Sequence, residues 1–209
     1  MQKIFIMNTR IGLLENILKK IIKNSIYITL ILIFSFSNVI AKERWIIDKK
    51  ISSIKFELPV LFASNVVGEF KNIDGFVEID LINQTNNKAI LSVEIDSIES
   101  NYSKYRDLLL SNIFFDSNNY PIGVLDTKKF SYKDEKDLSL TIELTIKGIS
   151  KMVDTKLIVK KLTTDIVQII GRLEFSRTDF EIGTGSWNNT TILKDKINIE
   201  SNIFLIKEY

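Results

Sequence analysis

From residue 42 to the C-terminus, apolar and polar residues alternate with period two in run after run. That is the pattern of strands with one buried and one wet face. Ile54, Phe56, Leu58 and Val60 face one way, and Ser53, Lys55 and Glu57 the other. Val77, Ile79 and Leu81 alternate with Glu78 and Asp80, and Ala89, Leu91, Val93 and Ile95 with Ile90, Ser92 and Glu94. The cleanest run sets Leu138, Leu140, Ile142, Leu144 and Ile146 against Ser139, Thr141, Glu143 and Thr145. Val167, Ile169, Gly171, Leu173 and Phe175 face away from Gln168, Arg172 and Glu174, and Ile197, Ile199, Ser201, Ile203 and Leu205 close the series. Polar or glycine-bearing stretches at 72–75, 83–87, 133–137 and 183–189 read as turns. This spacing predicts an antiparallel meander rather than strands alternating with helices.

One segment departs from period two. In Ser103–Ser111, Tyr105, Leu108 and Leu109 fall at helical spacing, with Ser103 as N-cap. Asn118-Asn119-Tyr120-Pro121 then forces extended or turn backbone. The expectation is an all-β domain of about eight strands with one short helical insertion. Six or more one-sided strands need cover for their apolar faces. A sheet closed into a barrel supplies it and removes the edges; a two-sheet sandwich is the alternative. Eight strands enclose either packed side chains or one ligand.

The first 41 residues do not belong to that pattern. Lys19, Lys20 and Lys23 precede an apolar stretch from Ile26 to Phe36, and Val39-Ile40-Ala41 follows. A basic flank, a short apolar core and a V-x-A end predict a secretory signal peptide over 1–41, with Met1 or Met7 as the start. The core is about 11 residues, short of the ~20 that span a bilayer, although an uncleaved anchor stays open. Cleavage leaves an exported 42–209 domain with no stable membrane span. The charge then changes sign. Five basic residues against Glu15 give the segment +4, so of the chain's formal +2 the remainder carries −2. A nucleic-acid partner is not expected from an acidic chain without basic clusters.

The chain has no Cys and no His. That excludes disulfides, thiolate or imidazole catalysis and Cys/His metal sites, and no lipid can be attached through cysteine. No cofactor is expected and no metal site. The carboxylates fall on outward strand positions or in turns, with no converging pair, so no enzyme is expected; a carboxylate hydrolase or isomerase at a barrel mouth is the reading this leaves open. The inward positions Phe56, Leu58, Phe70, Val93, Leu140, Ile142, Leu144, Leu173, Phe175 and Ile203 are the candidate core and lining. Arg106, Asp107 and Trp187 are candidates for a polar head or a barrel mouth, with a structural tie as the alternative for the Arg-Asp pair. Arg177 and Asp179 read as ties across a barrel end, and Phe114, Phe115 and Tyr120 as cover for an opening.

The order of motifs resembles the YceI-like family over about 44–207. Trp45-Ile46-Ile47-Asp48 with Ser53-Ile54-Lys55-Phe56 resembles its opening, and Val67-Gly68-Glu69-Phe70 its next segment. Asp96 to Ser100, Arg106-Asp107-Leu108-Leu109, Phe114-Phe115-Asp116 and Tyr120-Pro121 resemble its centre. Leu144 to Lys151 and Arg177-Thr178-Asp179-Phe180 with Ile182-Gly183 resemble its later motifs. Ser100 stands where the family usually has Thr, Glu181 where Gly is usual, and the histidine often found near the first strand is missing. The resemblance implies an extended lipocalin-like barrel that holds an isoprenoid or similar amphipathic lipid, such as a quinone or its precursor, in an apolar tunnel. It also implies a periplasmic location and often a homodimer. The competing reading is a structural or stress-response interaction protein whose barrel is filled by side chains.

Overall fold

The computed structural model describes residues 19–23, 42–61, 64–101 and 103–209. The chain divides into two units, 1–40 and 41–209. In the first, residues 19–23 are helical; the apolar core and V-x-A end of the expected signal peptide lie outside the described residues. No described helix is long and apolar enough to cross a membrane.

The second unit is a closed antiparallel barrel. Its strands are β1 (Lys42–Ile47), β2 (Ser53–Leu58), β3 (Val66–Phe70), β4 (Ile73–Asp80), β5 (Lys88–Glu94), β6 (Ile98–Ser100), β7 (Ile122–Asp126), β8 (Asp137–Ile146), β9 (Ile149–Lys161), β10 (Ile166–Ser176) and β11 (Lys196–Glu208). Helix α1 spans Ser103–Leu110 between β6 and β7. Several strands are halves of longer ones. β1 and β2 both pair with β11, β1 opposite 205–208 and β2 opposite 198–202. β4 and β3 follow on as partners of β1 and β2, and β5 and β6 as partners of β4 and β3. Eight long strands therefore run up and down, and the first pairs with the last through β1 and β11. Closure rules out the two-sheet sandwich.

The helix sits where the ring is incomplete. β6 pairs with β3 but not with β7, which pairs with β5 and β8. An open strand edge exposes unpaired carbonyls. Arg106 on α1 covers this one, its guanidinium donating to the carbonyls of Ile98 at 3.2 Å and Asp96 at 2.6 Å. The side chain of Ser103, the expected N-cap, lies outside the described residues.

One sequence expectation needs correction, and two strands fall outside the alternating runs. Residues 72–75 are not a turn: only Lys71-Asn72 separate β3 from β4, and Ile73 is buried in the core. Gly75 marks a close strand approach instead. Its φ is +156°, and a Cβ there would lie 2.3 Å from the Ile90 carbonyl oxygen. β9, the longest run beside β11, was not among the alternating runs, although Val153, Thr155, Leu157 and Val159 alternate with Asp154 and Lys156. β7 was hidden by its length of five residues. The turn expectations at 83–87 and 183–189 hold, and that at 133–137 holds up to Asp137, where β8 begins.

Candidate functional site

Every inward-facing run lies along the barrel axis, so position in a strand becomes depth. At one end, β4–β5, β7–β8 and β9–β10 are joined by the 81–87, 127–136 and 162–165 connections. There a cavity of about 470 Å³ opens, lined by Val77, Ile79, Leu138, Leu140, Leu157, Val159, Val167 and Ile169 from four strands, with Trp45 of β1 and Leu205 of β11. Deeper, a void of about 100 Å³ shares Val77, Ala89, Leu157, Ile169 and Leu205 with it and adds Ile142, Gly171, Leu173, Ser201 and Ile203. Deeper still, a void of about 80 Å³ shares Leu91, Leu125, Leu173 and Ile199 with the second and is bounded by Phe56, Phe70, Phe115 and Phe175. They lie in series within one apolar lumen, open at the mouth and floored by aromatic rings, each cavity sharing wall residues with the next. Leu140, Leu144, Leu157, Ile169, Leu173 and Ile199 point inward yet stay only half-buried, because they face space rather than packed neighbours.

Small side chains line the middle. Gly171 and Ser201 are register partners across β10 and β11. A Cβ on Gly171 would lie 2.4 Å from Ser201 Oγ, so a larger residue here would fill the waist. The floor is a triangle of rings: Phe56–Phe70 centroids are 5.8 Å apart, Phe56–Phe115 6.2 Å and Phe70–Phe115 6.1 Å, the last two edge-on.

Polar groups gather at the mouth. The Lys161 ammonium lies 2.8 Å from Asp134, whose carboxylate also accepts the Tyr132 hydroxyl at 3.1 Å. Lys161 and then Tyr132 hold Asp134 below the usual carboxylate range. Burial, then Asp134, pushes the Tyr132 phenol up to about 12, which keeps it a donor at neutral pH. Lys207 pairs with Glu43 at 2.7 Å above the Trp45 ring. The 81–87 loop is built on Asp80 and Asn87. Asp80 accepts the amides of Ile82 and Asn83 and the Asn86 side chain, while buried Asn87 accepts the Asp80 amide and donates to the Gln84 and Phe130 carbonyls.

Of the ten lining positions read from the sequence, nine border this lumen. Leu140 lies at the mouth, Ile142 and Ile203 at the waist, Leu173 between waist and floor, and Phe56, Phe70, Val93, Leu144 and Phe175 at the floor. Leu58 is buried but borders none of the three voids. Arg106, Asp107 and Trp187 lie at the opposite end from the mouth. Arg106 ties α1 to β6, Asp107 is exposed, and Trp187 packs edge-on to Phe114 at 5.8 Å. Phe115 is the floor, while Tyr120 lies 2.9 Å from where a Cβ of Gly148 would be. Arg177 is fully buried and donates to the carbonyls of Lys194, Ile182, Gly183 and Leu193. It is a tie across the closed end, and Asp179 beside it is exposed. The mouth residues Tyr132, Asp134 and Phe130 were not foreseen, because loop residues carry no periodicity, and neither was Lys161 at the last position of β9. The described residues contain no group of three or more Asp, Glu, His or Cys placed to hold a metal.

The comparisons with known proteins agree with this geometry. The YceI-like domain model matches residues 45–205. A UPF0312 protein of Shewanella denitrificans is 28% identical over 114 residues, 54% of this chain and 60% of that protein. The chain spans about six-tenths of the length of the curated relatives it matches. Among solved structures, BcnA of Burkholderia cenocepacia superposes with a TM-score of 0.69 at 22% identity, covering 76% of this chain and 98% of that one. A polyisoprenoid binding domain from Saccharophagus degradans, implicated in plant cell wall breakdown, gives 0.62 at 13% identity, covering 80% and 99%. These two likenesses concern the fold. With the family model spanning almost the whole barrel, the chain belongs to the YceI-like domain family.

Proposed function

We propose that this protein is an exported, non-catalytic carrier that holds one long apolar chain of isoprenoid type in the barrel lumen, with its polar head at the mouth. The reading rests on a single observation: an apolar lumen whose unfilled cavities lie in series from an open end to an aromatic floor. A cavity of about 470 Å³ falls within the ~300–1,000 Å³ typical of small-molecule sites. An apolar wall binds by area, at about 25 cal/mol per Å² buried. It therefore tolerates many chain types and needs no cofactor. The nine lumen-facing candidates are the proposed chain contacts, and Tyr132, Asp134 and Lys161 the proposed head contacts. A quinone or its precursor fits such a site, since its ring carries acceptors for the Tyr132 hydroxyl and the Lys161 ammonium. Family membership and the Saccharophagus neighbour, named for polyisoprenoid binding, support the ligand class. The basic and apolar pattern of 1–41 supports export to the periplasm. Self-association to a homodimer belongs to the same proposal.

The test is mass spectrometry of organic extracts from protein purified under native conditions, alongside titration of delipidated protein with a fluorescent polyprenol. A chain-like lipid in the extract and saturable uptake at one site per barrel are expected. Empty extracts together with no uptake would sink the carrier reading and favour an interaction protein without ligand.

A further inference from the structure

The mouth carries an exposed surface that lipid binding inside the barrel does not require. Leu81 and Ile82, at the tip of β4–β5, are 56% and 71% exposed, and Leu162, at the tip of β9–β10, is 50% exposed. Leu81 also borders the mouth cavity. These are apolar side chains held in water on loops that surround the opening. The third loop of the same rim, 127–136, and the adjoining end of β9 supply cations. Lys129, Lys133, Lys136 and Lys160 are exposed there and form no ion pair among the described residues. Of the nearby acids, Asp134 is already held by Lys161 and Tyr132, and Asp165 by Tyr209 and Thr164, while Glu135 and Asp137 are exposed without an ion pair among the described residues, so the four lysines outnumber the free acids two to one. The 42–209 portion is acidic overall, so a local excess of free lysines at the opening runs against its net charge.

We propose that this rim is a docking surface for anionic lipid bilayers, which seats the open mouth on the membrane so that a lipid passes between bilayer and lumen without crossing water. The occupant follows from the chemistry. Apolar tips enter the headgroup–acyl boundary, where they gain by burial, and ring cations are drawn to anionic headgroups. A protein partner would be met by a continuous apolar patch, whereas these tips stand on separate loops. The proposal rests on the carrier reading for its purpose but not for its geometry.

The chain has no cysteine, so single labels can be placed cleanly. Ile82→Cys at the mouth and Asn118→Cys at the closed end would each carry an environment-sensitive fluorophore. Each would be mixed with phosphatidylcholine vesicles containing 30% phosphatidylglycerol, and with pure phosphatidylcholine vesicles. A blue shift is expected at position 82 on the anionic vesicles, weakened by salt, with none at 118. Co-sedimentation should fall at least tenfold in the Leu81→Ser/Ile82→Ser/Leu162→Ser variant. In Lys129→Gln/Lys133→Gln/Lys136→Gln/Lys160→Gln the preference for anionic vesicles should disappear. Equal shifts at both ends, or none at either, would overturn the proposal, as would undiminished sedimentation of the apolar triple variant. Polyprenol uptake from detergent solution, without vesicles, reports the lumen alone. A protein that loads but does not dock refutes this inference and leaves the carrier reading standing; one that docks but does not load does the reverse.

Discussion

Individual residues do two separate jobs in this barrel. Those that make the fold specific cluster at the closed end. Arg177 satisfies four backbone carbonyls in a place no water reaches. Arg177→Ala leaves those acceptors buried and unpaired, and is expected to cost about 3–5 kcal/mol in urea unfolding. Arg177→Lys should recover only part of this, because an ammonium cannot reproduce the planar fork of donors. Glu181 has a left-handed backbone, φ 53°, at the position where glycine is usual in the family. Glu181→Gly removes that strain and is expected to raise stability by about 0.5–1 kcal/mol, net of glycine's greater freedom when unfolded. At the mouth, the Asn83 amide first, then the Asn86 side chain and the Ile82 amide, hold the Asp80 carboxyl below its ordinary value. A depressed folded value means that this support is complete above the ordinary carboxylate value of 3.8 and is lost as pH falls below it. Thermal melts from pH 5 down to pH 2 should therefore fall less steeply in Asp80→Asn than in the parent.

The elements show how far the sequence alone could carry the reading. Phe115, delivered by the segment after α1, closes the lumen against Phe56 and Phe70. Phe115→Ala should cost about 3 kcal/mol or more and deepen the lumen. Longer polyprenols should then gain affinity relative to shorter ones, readable as a shifted chain-length optimum in competition binding. The six alternating runs were legible because each has one buried face; the depth of each residue in the lumen came only with the strand register and the cavities. β9 escaped because its outward face carries Met152 and Ile158, which blur the alternation. The 72–75 segment misled because Asn, Asp and Gly together look like a turn, whereas Gly75 serves a close strand approach. The family motifs were legible and are largely structural. Lys147-Gly148, with φ of 51° and 71°, form the two-residue turn between β8 and β9. The Lys147 ammonium there donates to the Asn112 and Glu181 carbonyls. The central and later motifs thus describe how the closed end is tied, and the mouth, where a head group would be read, carries none of them. That is why fold was readable and head-group chemistry was not.

At the scale of the whole molecule, packed core and open space are divided along one axis. The closed end holds the densest packing, with Phe180, Ile182, Ile98 and Leu58 almost completely buried. The mouth half keeps its apolar walls apart. A barrel filled by side chains would not show that division, since every inward position would contribute to both. The contrast can be measured with two substitutions. Leu58 is buried and borders none of the three voids, so Leu58→Ala should destabilise by about 2–5 kcal/mol and leave polyprenol affinity within about twofold. Ile169 borders both the mouth cavity and the waist. Ile169→Trp puts a large ring into space that is empty, so it meets little of the overpacking strain of a filled core. It should hold the urea midpoint close to the parent while lowering affinity at least tenfold. Linkage supplies an independent check: a ligand at 100 times its Kd adds about 2.7 kcal/mol to the parent's stability. Excess polyprenol should therefore raise the unfolding midpoint of the parent and of Leu58→Ala alike, and barely move that of Ile169→Trp. If the ligand stabilised Ile169→Trp as much as the parent, its site would lie outside the lumen.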